Sequence, residues 1–223
     1  SGTFSDSSAT GSTAFGGLVT INSGGIWSTS GNPAFTFRGG LTNDSSSGFT
    51  SGSGTYTFDT SAQTVGGSQS YTITTISNAV TSGSGLTFSG QYPTVGTLTQ
   101  GSDAVLTFGG TVPTITTLTA NTSGNTVAYT ATSAQTVKPA TYYNLTKIGA
   151  GGTATQGGSV TVNNVMTVTS GTFATGDNAL SVSDMSIGAS GTLQGGSSLI
   201  TVGENWINSG TFTAGTSEVK FNT

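Results

Sequence analysis

The C-terminal part of the chain repeats one pattern four times: AGGTATQGG (150–158), TSGTFATGD (169–177), ASGTLQGGS (189–197) and NSGTFTAGT (208–216). Each copy contains a Gly-Thr pair, and these pairs occupy 152–153, 171–172, 191–192 and 210–211. Between the copies lie runs that alternate apolar with polar residues: SVTVNNVMTV (159–168), ALSVSDMSI (179–187) and LITVGENWI (199–207). Because a unit of about 20 residues cannot bury its own apolar face, these units must stack on one another.

The first third of the chain carries a looser form of this repeat. Gly2, Gly25 and Gly48 are evenly spaced, at a slightly longer interval, and lie beside short alternating runs. A longer repeat is superimposed, because the hexapeptide TSAQTV occurs at 60–65 and again at 132–137. Each copy follows one predicted strand and precedes a strand that contains tyrosine. The repeats therefore extend beyond the C-terminal region.

These repeats predict an all-β chain without helices, folded as a parallel β-solenoid with coils of about 20 residues. In such a fold each strand pairs with the equivalent strand of the next coil, about 4.8 Å away. Threonine and valine suit the pleated surface, and glycine permits corners with positive φ. The alternative is a set of tandem β-sandwich modules, which the repeat of the hexapeptide also allows.

We expect one elongated solenoid over 1–223, with three zones of different regularity. The zones are looser coils of about 23 residues over 1–76, irregular coils over 77–124, and regular coils of about 20 residues over 125–223. Phe173, Leu193 and Phe212 each follow a Gly-Thr pair. We expect these three side chains to stack inside the core as one ladder.

The small number of charged residues and the absence of Cys and His narrow the classes of function that the chain can have. The 223 residues include 8 acidic and 4 basic side chains, and neither Cys nor His. The lack of His removes the most common general base and metal ligand, and four basic residues are too few for a nucleic-acid surface. No apolar run reaches the roughly 18 residues of a bilayer span. We therefore expect no cofactor, no nucleic-acid partner, no membrane span and no enzymatic activity.

The acidic residues are the first candidate site. Only Asp184 and Glu204, one repeat apart, are predicted neighbours on adjacent coils, and we interpret them as a solvated surface pair. Gly176-Asp177-Asn178 and Gly101-Ser102-Asp103 resemble fragments of a calcium loop but lack its spacing, which favours simple turns. The acidic residues are Asp6, Asp44, Asp59, Asp103, Asp177, Asp184, Glu204 and Glu218.

Aromatic, hydroxyl and amide side chains give weaker candidates. Tryptophan and tyrosine side chains can stack on sugars. We favour core or corner packing for the four candidates of this kind, Trp27, Trp206, Tyr142 and Tyr143. Three asparagines match the glycosylation sequon: Asn43, Asn121 and Asn144. The Thr-x-Thr alternation within 159–169 makes ice binding a minor alternative, although equivalent positions there read Thr, Ser and Gly.

The segment 142–223, which begins YYNLTKIGAGGTATQGG and ends ENWINSGTFTAGTSEVKFNT, resembles the β-helical repeats of very large secreted bacterial surface proteins. These include filamentous-haemagglutinin-like and autotransporter-type adhesins. The resemblance rests on the style of the repeat rather than on a diagnostic motif. It implies an extracellular, elongated, non-enzymatic stalk or fibre, and it carries over no functional residues.

Both ends of the sequence have the character of repeat units without a cap, which predicts unpaired strand edges. The predicted assembly edges are Gly2, Thr3 and Phe4 at one end, and Val219, Lys220 and Phe221 at the other. We expect them to bind a second copy head to tail, or neighbouring repeats of a longer chain. The sequence thus predicts an extracellular structural protein of a surface fibre or adhesin stalk. A carbohydrate-binding or polysaccharide-processing β-helix is the alternative, with carbohydrate or a host or cell surface as partner.

Overall fold

A computed structural model describes residues 2–90 and 93–222. The chain divides into two compact units. Unit 1 comprises Ser1–Leu106 and Pro113–Leu118, and unit 2 comprises Thr107–Val112 and Thr119–Thr223. The described residues form strands, turns and bends and no helix, so the all-β prediction is confirmed.

Unit 1 is built from short strands that form three parallel sheets. Their orders run through β1-β4-β7, β2-β5-β8-β10-β12 and β3-β6-β9-β11. The strands are β1 (Thr3–Ser5), β2 (Ser12–Phe15), β3 (Val19–Ile21), β4 (Ile26–Ser28), β5 (Ala34–Phe37), β6 (Leu41–Asn43), β7 (Phe49–Thr50), β8 (Thr55–Phe58), β9 (Gln63–Gly67), β10 (Tyr71–Asn78), β11 (Leu86–Gly90) and β12 (Pro93–Gln100).

Two strands contain residues of both units: β13 (Val105–Phe108) and β14 (Ile115–Thr119). Unit 2 continues with short strands and two long ones, β20 and β21. Its strands are β15 (Thr126–Tyr129), β16 (Gln135–Val137), β17 (Thr141–Tyr142), β18 (Asn144–Lys147), β19 (Thr153–Gln156), β20 (Val160–Ala174), β21 (Leu180–Gln194), β22 (Leu199–Val202), β23 (Trp206–Asn208), β24 (Thr211–Thr213) and β25 (Glu218–Phe221).

The register shows that each unit is a parallel β-solenoid. In unit 1, Val19 pairs with Leu41, its equivalent in the next coil. In unit 2, Val160 pairs with Leu180 in the same way, so the paired positions recur at the spacing of the sequence repeat. The ladders found among the described residues are parallel, which excludes the β-sandwich alternative because sandwich sheets are antiparallel.

The Gly-Thr pairs of the sequence repeat stack on one another in unit 2. Thr153 pairs with Thr172, Thr172 with Thr192, and Thr192 with Thr211. A Cβ on Gly191 would overlap the backbone carbonyl oxygen of Val168, so the backbones approach too closely for any other residue. The glycine of the repeat is therefore a packing requirement between neighbouring coils.

Inward-facing side chains of unit 2 form continuous rows from coil to coil, and their interior members are fully buried. The predicted ladder of Phe173, Leu193 and Phe212 is one of these rows, because Phe173 pairs with Leu193 and Leu193 with Phe212. Phe173 and Leu193 are buried, whereas Phe212 on the last coil is half-buried. The predicted register is confirmed, and the burial of the ladder decreases at its end.

The core of unit 1 is aromatic. Phe37 stacks on Phe58 and on Tyr56, with ring centroids 5.1 and 5.6 Å apart. Trp27 is buried, and its indole N–H donates a hydrogen bond of 2.7 Å to the Tyr56 hydroxyl. Alternation places these rings inside and the intervening threonines, such as Thr57, on the outer face.

The ladder row gives a matched test of burial. We expect Phe173→Ala to lower the free energy of unfolding by roughly 3–5 kcal/mol, because it opens a cavity in a closed layer. Phe212→Ala removes the same ring from the same row where the ring is half-buried, and should cost clearly less. Denaturant titration of both variants measures the difference, and equal losses would show that the row is not covered as described.

Candidate assembly edges

The first three strands of unit 1 form an edge with neighbours on one side. Among the described residues, β1 pairs with β4, β2 with β5 and β3 with β6. Of the predicted edge residues, Gly2 and Thr3 are exposed, and Phe4 is half-buried with its ring stacked 4.3 Å from that of Trp27. The opposite side of each strand presents backbone N–H and C=O groups to which a further strand can pair.

The last three strands of unit 2 form an equivalent edge. In the described chain, β23 and β24 pair with β21, and β25 pairs with β22. Val219 is half-buried, and Lys220 and Phe221 are exposed. In the part of the chain that the structure describes, all six predicted edge residues thus lie on, or next to, strands that pair with one neighbouring strand.

The last coil leaves part of its core layer uncovered. Val202 is 0% exposed, but Phe221, which pairs with it one coil later in the same inward row, is 57% exposed. The Trp206 ring lies against both Phe212 and Phe221, at centroid distances of 5.1 and 6.2 Å. These three rings form an apolar cluster, the C-terminal aromatic cluster, on the open side of the coil.

The first coil is also open, and it borders a concave space that both apolar and polar residues line. Phe4 and Phe15 are half-buried, whereas Trp27 and Phe37, their partners in the next coil, are buried. A cavity of about 490 Å³ lies here, lined mainly by the side chains and backbone of β1, β3 and the turn before β4. Its apolar lining comes from Phe4, Phe15, Val19, Ile21, Ile26 and Trp27, and we call it the N-terminal cavity.

Several acidic side chains contact the next coil rather than one another. Asp44 accepts a hydrogen bond from the backbone N–H of Ser68. Asp177 accepts one from Ser197, and this bond holds the pKa of the Asp177 carboxyl below its usual value. Each carboxylate therefore satisfies a turn N–H of the coil above it.

The predicted acidic pair and calcium-like fragments occupy turns and corners. Asp184 accepts two hydrogen bonds from Asn205, from its backbone N–H and its side-chain amide. Asp103 and Asp177 have positive φ of 57° and 61°, which confirms the turn interpretation of both fragments. Within the described residues, no group of three or more acidic side chains is placed to hold a metal ion.

One buried cation was not predicted from the sequence. Lys147 is 1% exposed, and its ammonium donates hydrogen bonds to the carbonyl oxygens of Ala131, Ile148 and Gly149. Burial lowers the pKa of Lys147. The alternation of residues in β18 puts Lys147 on the same inward face as Leu145, so its inward position could be predicted from the sequence. The three carbonyl groups at the corner could not.

The repeated hexapeptide has one structural role in both copies. Gln63 and Gln135 are buried, and so are Val65 and Val137 two residues later. The Gln135 amide donates to the carbonyl oxygen of Phe108 at 2.8 Å and its oxygen accepts from the N–H of Ala131. The hexapeptide therefore supplies a buried amide that satisfies backbone groups at a corner.

The aromatic and sequon candidates divide between core and surface. Trp27 and Tyr142 are buried, which confirms core packing for both, whereas Trp206 and Tyr143 are half-buried. The Asn43 side chain is buried and hydrogen-bonded to Ser45, so this sequon lies inside the folded coil.

Threonine and serine side chains form rows from coil to coil on the outer face. In unit 2, the row through Thr161 also contains Thr141, Ser181 and Thr201. Unit 1 has two such rows. One row joins Thr36, Thr57, Ser77 and Thr99 through successive paired strands, and a second joins Thr55, Thr75 and Thr97. These rows were not recognised in the sequence because the spacing between members changes from one pair of strands to the next. Ice binding stays a prediction.

The fold and its edges define the class as a parallel β-solenoid repeat protein. No protein-family model, no curated protein and no solved structure matches the chain. None of the segments described here forms a helix with the length and apolarity that a bilayer crossing requires.

A buried pair of tyrosines makes the free energy of unfolding of unit 2 depend on pH in the alkaline range. Burial raises the pKa of Tyr129 to about 12, and its hydroxyl lies 3.3 Å from that of Tyr142. An unfolded tyrosine has a pKa of about 10, so above pH 10 the unfolded state loses this proton first. Stability contributed by the neutral Tyr129 is therefore present below about pH 10 and declines as the pH rises toward 12.

We expect the free energy of unfolding to fall less steeply with pH in Tyr129→Phe than in the wild type over this range. The slopes should differ by up to roughly 1.4 kcal/mol per pH unit. The measurement is the free energy of unfolding between pH 9 and 12. The slope with pH is compared, rather than the absolute value, because the variant also loses hydrogen bonds that stabilise the protein at neutral pH. Phe108→Leu is the matched control, since the Phe108 ring packs 5.2 Å from Tyr129 without titrating. Identical slopes for wild type and Tyr129→Phe would contradict the assignment.

Proposed function

We propose that this chain is an extracellular structural protein, a subunit or segment of a bacterial surface fibre or adhesin stalk. It extends by stacking coils end to end. The observation that carries the proposal is that, among the described residues, the first and last coils each have strands paired on one side and an apolar layer that is partly uncovered. Exposed parallel edges of this kind are templates for a further strand.

The chemistry of the surface supports a structural role. Charged residues make up 5% of the chain, far below the roughly 25% of ordinary domains. Asp44, Asp177 and Asp184 accept hydrogen bonds from the next coil. These side chains hold neighbouring coils together, as a fibre-forming solenoid requires.

The exposed apolar residues also favour contact with another macromolecule. Leu18 is exposed beside β3 of the first coil, and Ile26 on β4 of the second. Ile207 and Phe221 are exposed on the edge strands β23 and β25, and Leu199 on β22 next to β25. Their exposed fractions range from 40% to 60%, which is unfavourable in water unless they are covered in the working state.

Assembly predicts a spectroscopic change because the two tryptophans differ in burial. Trp27 is 2% exposed, whereas Trp206 is half-buried in the C-terminal aromatic cluster. We expect tryptophan emission to shift to shorter wavelength as protein concentration rises, together with larger species in sedimentation and rods in electron micrographs.

Phe221→Asp should abolish both the shift and the large species, because it places a charge in the apolar contact. Ile148→Asp is the control, since Ile148 is a similarly apolar side chain, 41% exposed, on a corner rather than on an edge strand. A chain that stays monomeric at millimolar concentration, or assembly that is insensitive to Phe221→Asp, contradicts the proposal.

A carbohydrate-binding β-helix is the second candidate, and the N-terminal cavity is the observation that favours it. Its aromatic lining and the nearby polar residues Asn22 and Ser23 combine stacking surfaces with hydrogen-bonding groups. Calorimetric titration with soluble oligosaccharides tests it. Binding that Phe4→Ala removes would support this function, and no heat with any sugar would exclude the cavity as a sugar site.

A further inference from the structure

One outer face of unit 1 carries hydroxyl side chains in two adjacent rows. Both rows lie on the sheet that contains β5, β8, β10 and β12, and their members are two residues apart on the same strands. The pairing of successive strands sets each hydroxyl residue beside the equivalent one of the next coil. We call the two rows the hydroxyl array; the first row contains Thr36, Thr57, Ser77 and Thr99, and the second contains Thr55, Thr75 and Thr97.

The hydroxyl array repeats in two directions at distances that the sheet fixes. Paired residues of neighbouring coils are about 4.8 Å apart, and residues i and i+2 of one strand are about 6.6 Å apart, twice the rise per residue. Beneath the array, Phe37, Tyr56 and Phe58 are fully buried, and the Phe37 ring stacks on the other two. This close-packed aromatic layer supports the strands from below, so the spacing of the hydroxyl residues is held by the core.

The hydroxyl groups of the array are available to a ligand. In the described part of the chain they have no hydrogen-bond partner within the protein. Elsewhere in unit 1, the Thr29 hydroxyl donates to the carbonyl oxygen of Thr50, and the Thr74 hydroxyl donates to that of Gly52. Thr99 is exposed, and the other members of the array are half-buried beside one another. Because β-branching restricts χ1 of threonine, the array presents donors and acceptors whose orientations are limited before binding.

The stacking of coils does not by itself account for two hydroxyl rows side by side. Strand propensity favours threonine on any outer face, and unit 2 has a single row of this kind, which contains Thr153, Thr172, Thr192 and Thr211. The row beside it is mixed, since it reads Thr155, Ala174, Gln194 and Thr213. In unit 1 both rows keep hydroxyl residues in register although the coils differ in length. This continuity indicates that the face has a ligand.

We propose that the hydroxyl array binds the surface of ice. A small soluble ligand is held in a concave site, whereas a repeating face of a sheet matches a ligand that repeats at the same distances. The oxygen atoms of ice form a lattice with repeats close to both distances of the array. Each water molecule donates and accepts hydrogen bonds, as each hydroxyl does. This inference goes beyond the proposed function, and it does not depend on how copies of the chain assemble.

The charges near the array are compatible with this ligand. Both rows consist of uncharged residues. Arg38 and Asp59 directly follow β5 and β8, and they pair with each other, with 3.2 Å between Nε and Oδ1. A lone charge in the array would orient water around itself, so the uncharged rows leave the arrangement of the bound water to the hydroxyl groups.

The experiment grows ice slowly in a solution of the whole chain and measures the share of protein that enters the ice. Microscopy of single ice crystals measures the gap between their melting and growth temperatures. We expect the wild type to enter the ice and to open this gap, and Thr57→Tyr to reduce both effects several-fold, because its ring stands in the middle of the array. Thr192→Tyr is the matched control, since Thr192 is also half-buried in an outer row but lies beside the mixed row of unit 2.

Thr97→Tyr, in the second row, repeats the test if Thr57→Tyr does not fold, and circular dichroism shows whether each variant keeps the fold. Exclusion of the wild type from ice, with no gap between melting and growth, would overturn the inference. Equal losses in Thr57→Tyr and Thr192→Tyr would overturn the assignment to this face. Retention of the wild type on crystalline cellulose or chitin, together with exclusion from ice, would replace water with a polysaccharide as the ligand.

Discussion

The hydrogen bonding between equivalent strands of successive coils is the constraint on which the rest of this structure depends. Because the strands pair between coils, the coils above and below satisfy the ladder N–H and C=O groups of an interior coil, and the backbones must approach closely along the stack. Gly191 lies where a side chain would strike the backbone of the preceding coil. Asp177 satisfies a turn N–H of the following coil. The glycine-rich, charge-poor composition is a consequence of this one contact repeated at each turn of the chain.

The periodicity of the sequence predicted the fold because each coil repeats the same interaction. The spacing of the Gly-Thr pairs gave the register of Thr172, Thr192 and Thr211, which the structure confirms. Contacts that depend on the path of a corner could not be predicted in this way. The three carbonyls around Lys147 come from a bend whose shape no residue pattern specifies. The threonine rows of unit 1 were hidden because their coils differ slightly in length.

A solenoid that buries its residues layer by layer exposes a layer wherever a coil lacks a neighbour. Phe221 and Val202 belong to the same inward row, yet one is 57% exposed and the other 0%. Position in the stack, rather than residue type, therefore determines the burial of Phe221. The location of Phe4 and Phe221 on the first and last strands was readable from the sequence, because edge strands have the same residue pattern as interior strands. Their role in assembly stays a prediction. The shape of the N-terminal cavity required the structure, since it arises from side chains on separate strands.

Parallel stacking of coils at the spacing of the sequence repeat is the central claim for unit 2. Nuclear Overhauser effects between backbone protons of paired strands test it most directly. Parallel stacking predicts cross-peaks between the strands around Thr172 and Thr192, and between those around Val182 and Val202, in the evenly spaced pattern of parallel strands. Cross-peaks in an antiparallel pattern, or between residues that are not one repeat apart, would contradict it.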